Sequence, residues 1–139
     1  MKDFDVTVRE SGNGPYGQFI TAGHHVLGAD EPETQGGSDT GPDPYRILLA
    51  ALGACTAMTM RMYATRHEWP LEHIEVRLRR VQRAGGTGGL QDRFERVIDL
   101  KGALDADQRA RLLEIADKCP VSQTLQHPSE IVTSLAEES

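Results

Sequence analysis

Aromatic residues are scarce in this 139-residue chain: one Trp, three Tyr and three Phe, 5% of the total. Aliphatic side chains must fill most of its core. An excess of positive charge is missing as well. Fifteen Lys and Arg stand against 21 Asp and Glu, a net charge of -6. That balance argues against a nucleic-acid partner, because nonspecific binding needs basic patches that neutralise phosphates. No long hydrophobic run is present. The longest mainly apolar stretch without a charge, Ile47 to Met60, has 14 residues, fewer than the ~20 that span a bilayer, so no membrane partner is expected. The start, MKDFDVTV, has no apolar export signal, which makes a cytoplasmic location the expectation. Cysteine is limited to Cys55 and Cys119. In a reducing compartment such a pair is more often catalytic or redox-active than a permanent staple.

Several chemistries lack their motifs. His24-His25, His67, His73 and His127 do not have the spacing of a zinc finger or an H-x-x-x-H metal pair. The glycine cluster at 85–89 has no following Gly-Lys-Ser/Thr, so it reads as a hairpin tip and not as a phosphate loop. Neither a G-x-S-x-G elbow nor a dinucleotide fingerprint is present. The expectation is a protein with no metal and no cofactor.

What is present reads as a single α+β domain over residues 1–139. Phe4, Val6 and Val8 alternate with polar residues, the period of a half-buried strand. After the turn Ser11–Pro15, Tyr16 to Thr21 can return as a second strand, and His24 to Gly28 as a third. A polar loop follows to Pro42. Pro44 suits the first turn of a helix, and Asp43 suits its cap. That helix is expected to reach about Arg66, with Leu48, Ala51, Leu52, Cys55, Thr59 and Met62 on one stripe and Ile47, Ala50, Ala54 and Met58 elsewhere around it. A helix apolar almost all round is enclosed by protein, and a chain this short has little to enclose it with, which points to a homodimer. Ile74, Val76 and Leu78 form the core face of one strand. Phe94, Arg96, Ile98 and Leu100 alternate with the polar Glu95 and Asp99 and give the return strand of a hairpin. Asp105-x-x-Gln108 has the form of a capping box for a helix to about Lys118, with Leu112, Leu113 and Ala116 inward. Cys119-Pro120 opens a short helix or turn, and Ile131, Thr133 and Leu135 suggest a last strand.

The two cysteines carry unequal arguments from position. Cys55, mid-helix, fits a small apolar filler. Cys119 stands where a helix start would favour its thiolate. They are 64 positions apart, so no C-x-x-C reasoning applies, yet two thiols suffice for peroxide chemistry: one attacks the O–O bond and becomes a sulfenic acid, and the other condenses with it. Arg46 is nine residues before Cys55. On a regular helix it faces away and lies about 13 Å along the axis, so it is a weak charge partner for that thiol.

Gly41-Pro42-Asp43-Pro44-Tyr45, followed by Leu48-Leu49-Ala50-Ala51-Leu52-Gly53-Ala54-Cys55-Thr56, resembles the cysteine helix of the osmotically induced protein/organic hydroperoxide resistance (OsmC/Ohr) family. Met58 to Ala64 continues the likeness. Ala116-Asp117-Lys118-Cys119-Pro120-Val121 is similar to the second cysteine motif of that family, and Gly23-His24-His25 with Ala29–Pro32 matches an upstream pattern. The resemblance implies an OsmC/Ohr-like fold, in which a long buried central helix is wrapped by antiparallel strands in an intertwined homodimer. It implies a thiol-dependent peroxidase, with Cys55 attacking an organic hydroperoxide, Cys119 resolving and a dithiol as reductant. Peroxidases of the family carry an acid near the helix start and an arginine on an early strand. Here Pro44-Tyr45-Arg46 occupies the first place and His25 the general region of the second, so Tyr45, Arg46 and His25 are the candidate substrate-binding residues. Many relatives follow the second cysteine with His-Arg, where this chain has Ser122-Gln123. Two alternatives stay open: a thiol–disulfide redox protein or sensor without peroxide specificity, and a non-catalytic dimeric binding protein.

Overall fold

A computed structural model describes residues 4–84 and 90–137. It divides into two compact units, the first ending at Ala50 and the second beginning at Ala51. The glycine cluster 85–89, expected as a hairpin tip, lies outside the described residues.

The first unit holds an antiparallel meander of β1 (Val6–Glu10), β2 (Gln18–Ala22) and β3 (His25–Ala29), in that order. Val8 pairs with Ile20, and Ile20 with Leu27. Period-2 patterning placed the strands, but not their burial. All five β1 residues are exposed, Val6 and Val8 included, where a half-buried strand is expected. Strand pairing satisfies the backbone whether or not a face is covered, so alternation marks the strand without supplying its cover. Below the meander, the loop closes on Asp30. Its carboxylate accepts bonds from the Glu31 amide at 2.7 Å, the Thr40 amide at 3.0 Å and the Thr40 hydroxyl at 2.7 Å. Gly41 lies so close to Gly28 and Ala29 that a Cβ there would meet their backbone at 2.7 Å.

Helix α1 (Pro44–Arg66) begins and ends where the sequence signals place it. Asp43 accepts a bond from the Arg46 amide at 3.3 Å, the capping contact expected of it. Its buried line is Leu52, Gly53, Thr56, Met60 and Ala64, and not the stripe through Leu48, Ala51, Cys55, Thr59 and Met62. Met58 and Met62 are exposed. An all-apolar circumference gives no direction to the helix, so packing chose the face. By length and composition alone α1 is long and apolar enough to cross a membrane. In this chain, however, Met60 and Ala64 join the core of the second unit.

That core gathers Met60, Ala64, Leu71, Leu112, Ile115 and Ala116, flanked by Ile74, Val76, Ile98 and Leu100. The last four come from the hairpin β4 (Leu71–Ala84) and β5 (Leu90–Gly102), in which Val76 pairs with Ile98 and Leu78 with Arg96. Helix α2 (Ala106–Ala116) starts at the Asp105–Gln108 capping box. It buries Ile115 where Leu113 was expected, and Leu113 is exposed. Leu112, Ile115 and Ala116 form one i, i+3, i+4 face, and Leu113 lies 100° round from Leu112. Helix α3 (Pro120–Leu125) follows with Cys119 as its cap. The expected strand at Ile131–Leu135 does not form. These residues have no strand structure, and Ile131 and Leu135 are 87% and 96% exposed. Among the described residues no strand pairs with this segment, and an unpaired strand lacks the bonds that define it.

Candidate active site

Three elements of the second unit converge on one polar cluster. Thr56 comes from the buried line of α1, Arg96 from the core face of β5, and Asp117, Cys119 and Ser122 from the α2–α3 segment. Cys119 is fully buried. Its sulfur accepts from the Ser122 amide at 3.4 Å and lies 3.7 Å from the Thr56 hydroxyl and 3.9 Å from Arg96 Nη1. The Cys55 thiol, half-buried on α1 and adjacent in sequence to Thr56, is near enough to help lower the pKa of the same sulfur. The fold therefore brings the two cysteines together, although nothing in a 64-residue separation requires it.

Arg96 is the best-anchored member. Nη1 donates to Thr56 Oγ1 at 2.7 Å and the Ala116 carbonyl at 3.2 Å, and Nη2 donates to Asp117 at 2.9 Å and Ser122 Oγ at 3.1 Å. Its side chain is 14% exposed, against 74% for Asp117. The ion pair is thus inside at one end and solvated at the other, which weakens Asp117's claim on the charge. A planar guanidinium held at so many points loses little entropy when it meets an anion. The Thr56 hydroxyl lies 2.6 Å from the Leu52 carbonyl as well as 3.7 Å from the Cys119 sulfur, and its lone pairs accept from Arg96.

These contacts decide the state of Cys119. Burial pushes its thiol up. The Ser122 amide, the Thr56 hydroxyl, the Cys55 thiol and the Arg96 guanidinium oppose burial and outweigh it, holding the thiol below the ordinary cysteine range. Beside the cluster is an open cleft of about 1250 Å³, with Leu52, Leu78, Phe94, Arg96, Ser122 and Leu125 in its wall.

The other candidates lie in the first unit. Arg46 is bound to Asp43 at 2.6 Å. Tyr45 is 45% exposed. His25 opens β3 and is tilted against His24 with ring centres 4.1 Å apart. The bonds of Cys119 and Arg96 run to Thr56, Ala116, Asp117 and Ser122, all in the second unit. Arg96 itself was missed as a site residue. Its signal was in the sequence, as a charged residue at an apolar position of an alternating strand.

A family model described as OsmC-like protein matches residues 36–134, well over half the chain and inclusive of both cysteines. The chain belongs to the OsmC-like family. Solved OsmC/Ohr structures share the fold of this OsmC-like chain. A Psychrobacter arcticus protein ascribed to osmotic stress induction and the detoxification response has a TM-score of 0.76 at 17% identity, covering 92% of this chain and 91% of that one. A Legionella pneumophila protein described as an organic hydroperoxide resistance protein OsmC, predicted redox protein and regulator of sulfide bond formation gives 0.65 at 20%, covering 87% of each. The organic hydroperoxide resistance protein OhrB of Bacillus subtilis gives 0.61 at 22%, covering 87% and 88%. None of the curated proteins matches this OsmC-like chain in sequence.

Proposed function

We propose that the protein is a thiol-dependent peroxidase acting on organic hydroperoxides, a cytoplasmic homodimer in which each 139-residue chain forms one domain. The observation that carries the reading is the approach of the Cys55 thiol to the buried Cys119 sulfur. Cys55 is the half-buried member of the pair and Cys119 is fully enclosed, so Cys55 is the sulfur that a peroxide reaches. Its thiolate attacks the hydroperoxide, the O–O bond breaks, and the alkoxide leaves to take up a proton. Cys55 is then a sulfenic acid. Cys119 attacks that sulfur, the S–O bond breaks, water leaves and a disulfide forms. A dithiol reductant restores both thiols by exchange. Tyr45, Arg46 and His25 remain proposed substrate contacts. The names of the Legionella and Bacillus neighbours support the substrate class. The open Met58–Met62 side of α1 supports a second copy as its cover.

The test is stoichiometric organic hydroperoxide added to the reduced protein, with thiols mapped by mass spectrometry. A rapid Cys55–Cys119 disulfide is expected, and Cys55 oxidation is expected to be trapped in Cys119→Ser. If Cys55 stays unmodified in a folded protein, the peroxidase reading fails. A disulfide that forms only with disulfide donors would favour a thiol–disulfide redox protein, the second reading, which the Legionella description also supports.

A further inference from the structure

We propose that Arg96 is a positioning residue that makes the two thiols a mono-anion, with the negative charge resting on Cys119 and one proton held by Cys55. The buried Cys119 sulfur is then the base that takes the Cys55 proton when peroxide arrives. This deepens the peroxidase reading and rests on it for the substrate.

The geometry separates charge from access. Cys119 faces three donors, the Ser122 amide, Cys55 and Arg96, but is fully buried, so the best-stabilised sulfur is closed to peroxide. Cys55 is only half-buried, and the guanidinium of the cluster is bonded to Cys119. A proton passing between the sulfurs joins the two properties. The groups facing them are Cys55 and Thr56 from α1, Arg96 from β5, and Asp117 and Ser122 from the α2–α3 segment, with Asp117 acting only through Arg96. Arg96 is therefore the only cation bonded within the cluster among the described residues, and its charge sits against Cys119.

The steps balance. The Cys55 thiol gives its proton to the Cys119 thiolate, and the Cys55 sulfur attacks the hydroperoxide oxygen, breaking O–O. The leaving alkoxide takes the proton from Cys119 and departs as alcohol. Cys119, again a thiolate, attacks the Cys55 sulfenic acid and breaks its S–O bond; the hydroxide takes up a proton from hydronium or a buffer acid and departs as water. Proton transfer of this kind contributes about 10²-fold or more to rate.

A sulfur that only resolves acts after Cys55 has been oxidised, so removing it leaves the first oxidation untouched. A sulfur that also takes the proton controls that first step. Cys119→Ser preserves the helix cap, since serine is itself a good capping residue. In this variant, Cys55 oxidation by cumene hydroperoxide and its alkylation by iodoacetamide are both expected to fall about 10²-fold. In Arg96→Met, the ultraviolet thiolate titration and the acid limb of the Cys55 oxidation profile are expected to move together to higher pH. Arg96→Lys should restore part of the shift. If Cys119→Ser oxidises Cys55 as fast as the parent across the pH range, the proposal is overturned. It is equally overturned if a folded Arg96→Met leaves both the titration and the acid limb in place, or if Arg96→Lys moves them as far as Arg96→Met does. Alkylation and titration that respond as stated while no hydroperoxide is consumed would support the charge arrangement and sink the peroxidase reading alone.

Discussion

The two units of this chain are held together by different chemistry. In the second, the buried residues are mainly apolar: Met60, Ala64, Leu71, Leu112, Ile115 and Ala116 in one cluster. In the first, the buried residues among those described are Gly17, Ala29 and Asp30, none of them a large hydrophobe. There the organising group is a carboxylate with three donors. Apolar burial is nondirectional and scales with area, whereas a buried carboxylate stabilises only while ionised and bonded. The second unit should therefore respond to lost volume, and the first to lost charge.

The largest expected effect is in the second unit. Leu112 is fully buried, and Leu112→Ala should cost about 2–5 kcal/mol through lost transfer energy and a residual cavity, read as a drop in the urea midpoint. A loss under 1 kcal/mol would mean that α2 is not anchored by this side chain.

Asp30→Asn comes next and is the counterpart for the first unit. The Thr40 hydroxyl and amide, aided by the Glu31 and Ser38 amides, hold the Asp30 carboxyl below its usual range against the opposing effect of burial. Asparagine would turn an NH2 toward those donors. Because the folded pKa is depressed below an unfolded value near about 4, the carboxylate's contribution is complete above that pH. It fades as pH falls through the folded value. The deficit of the variant should be clear at neutral pH and shrink in acid. An equal deficit at both pH values would break the contrast between the two units.

The smallest effect is expected at the meander surface. Val8 is 57% exposed, so Val8→Ala should change the stability of the separate chain by no more than about 0.5 kcal/mol. A larger loss that grows with protein concentration would show that a second copy covers this strand.

Much of the fold was legible in the sequence because its signals are local. Pro44 after Asp43 marks a helix start through a fixed φ and a side-chain acceptor, and α1 begins there. Asp105 and Gln108 satisfy each other's amides within one turn. The alternation of Ile74, Val76 and Leu78 with polar neighbours marks a strand wherever its partner lies. Ile131–Leu135 shows the limit of that reasoning, since alternation is present but no strand among the described residues pairs with it. Leu113 shows another, because a helix face is chosen by what packs on it.

For the site, sequence supplied the two cysteines and the cap position of Cys119, since Pro120 signals a helix start by itself. Family motifs then supplied the pairing and directed attention to Tyr45, Arg46 and His25. What only the tertiary structure decided is the environment of the sulfurs. Arg96 is 40 residues from Thr56 and 26 from Ser122 along the chain, and no local rule links such positions. The pairing of β4 with β5 puts Leu78 beside Arg96 and turns that arginine toward the core. A buried charge must then find partners or cost several kcal/mol, and the partners it found are the polar atoms around Cys119.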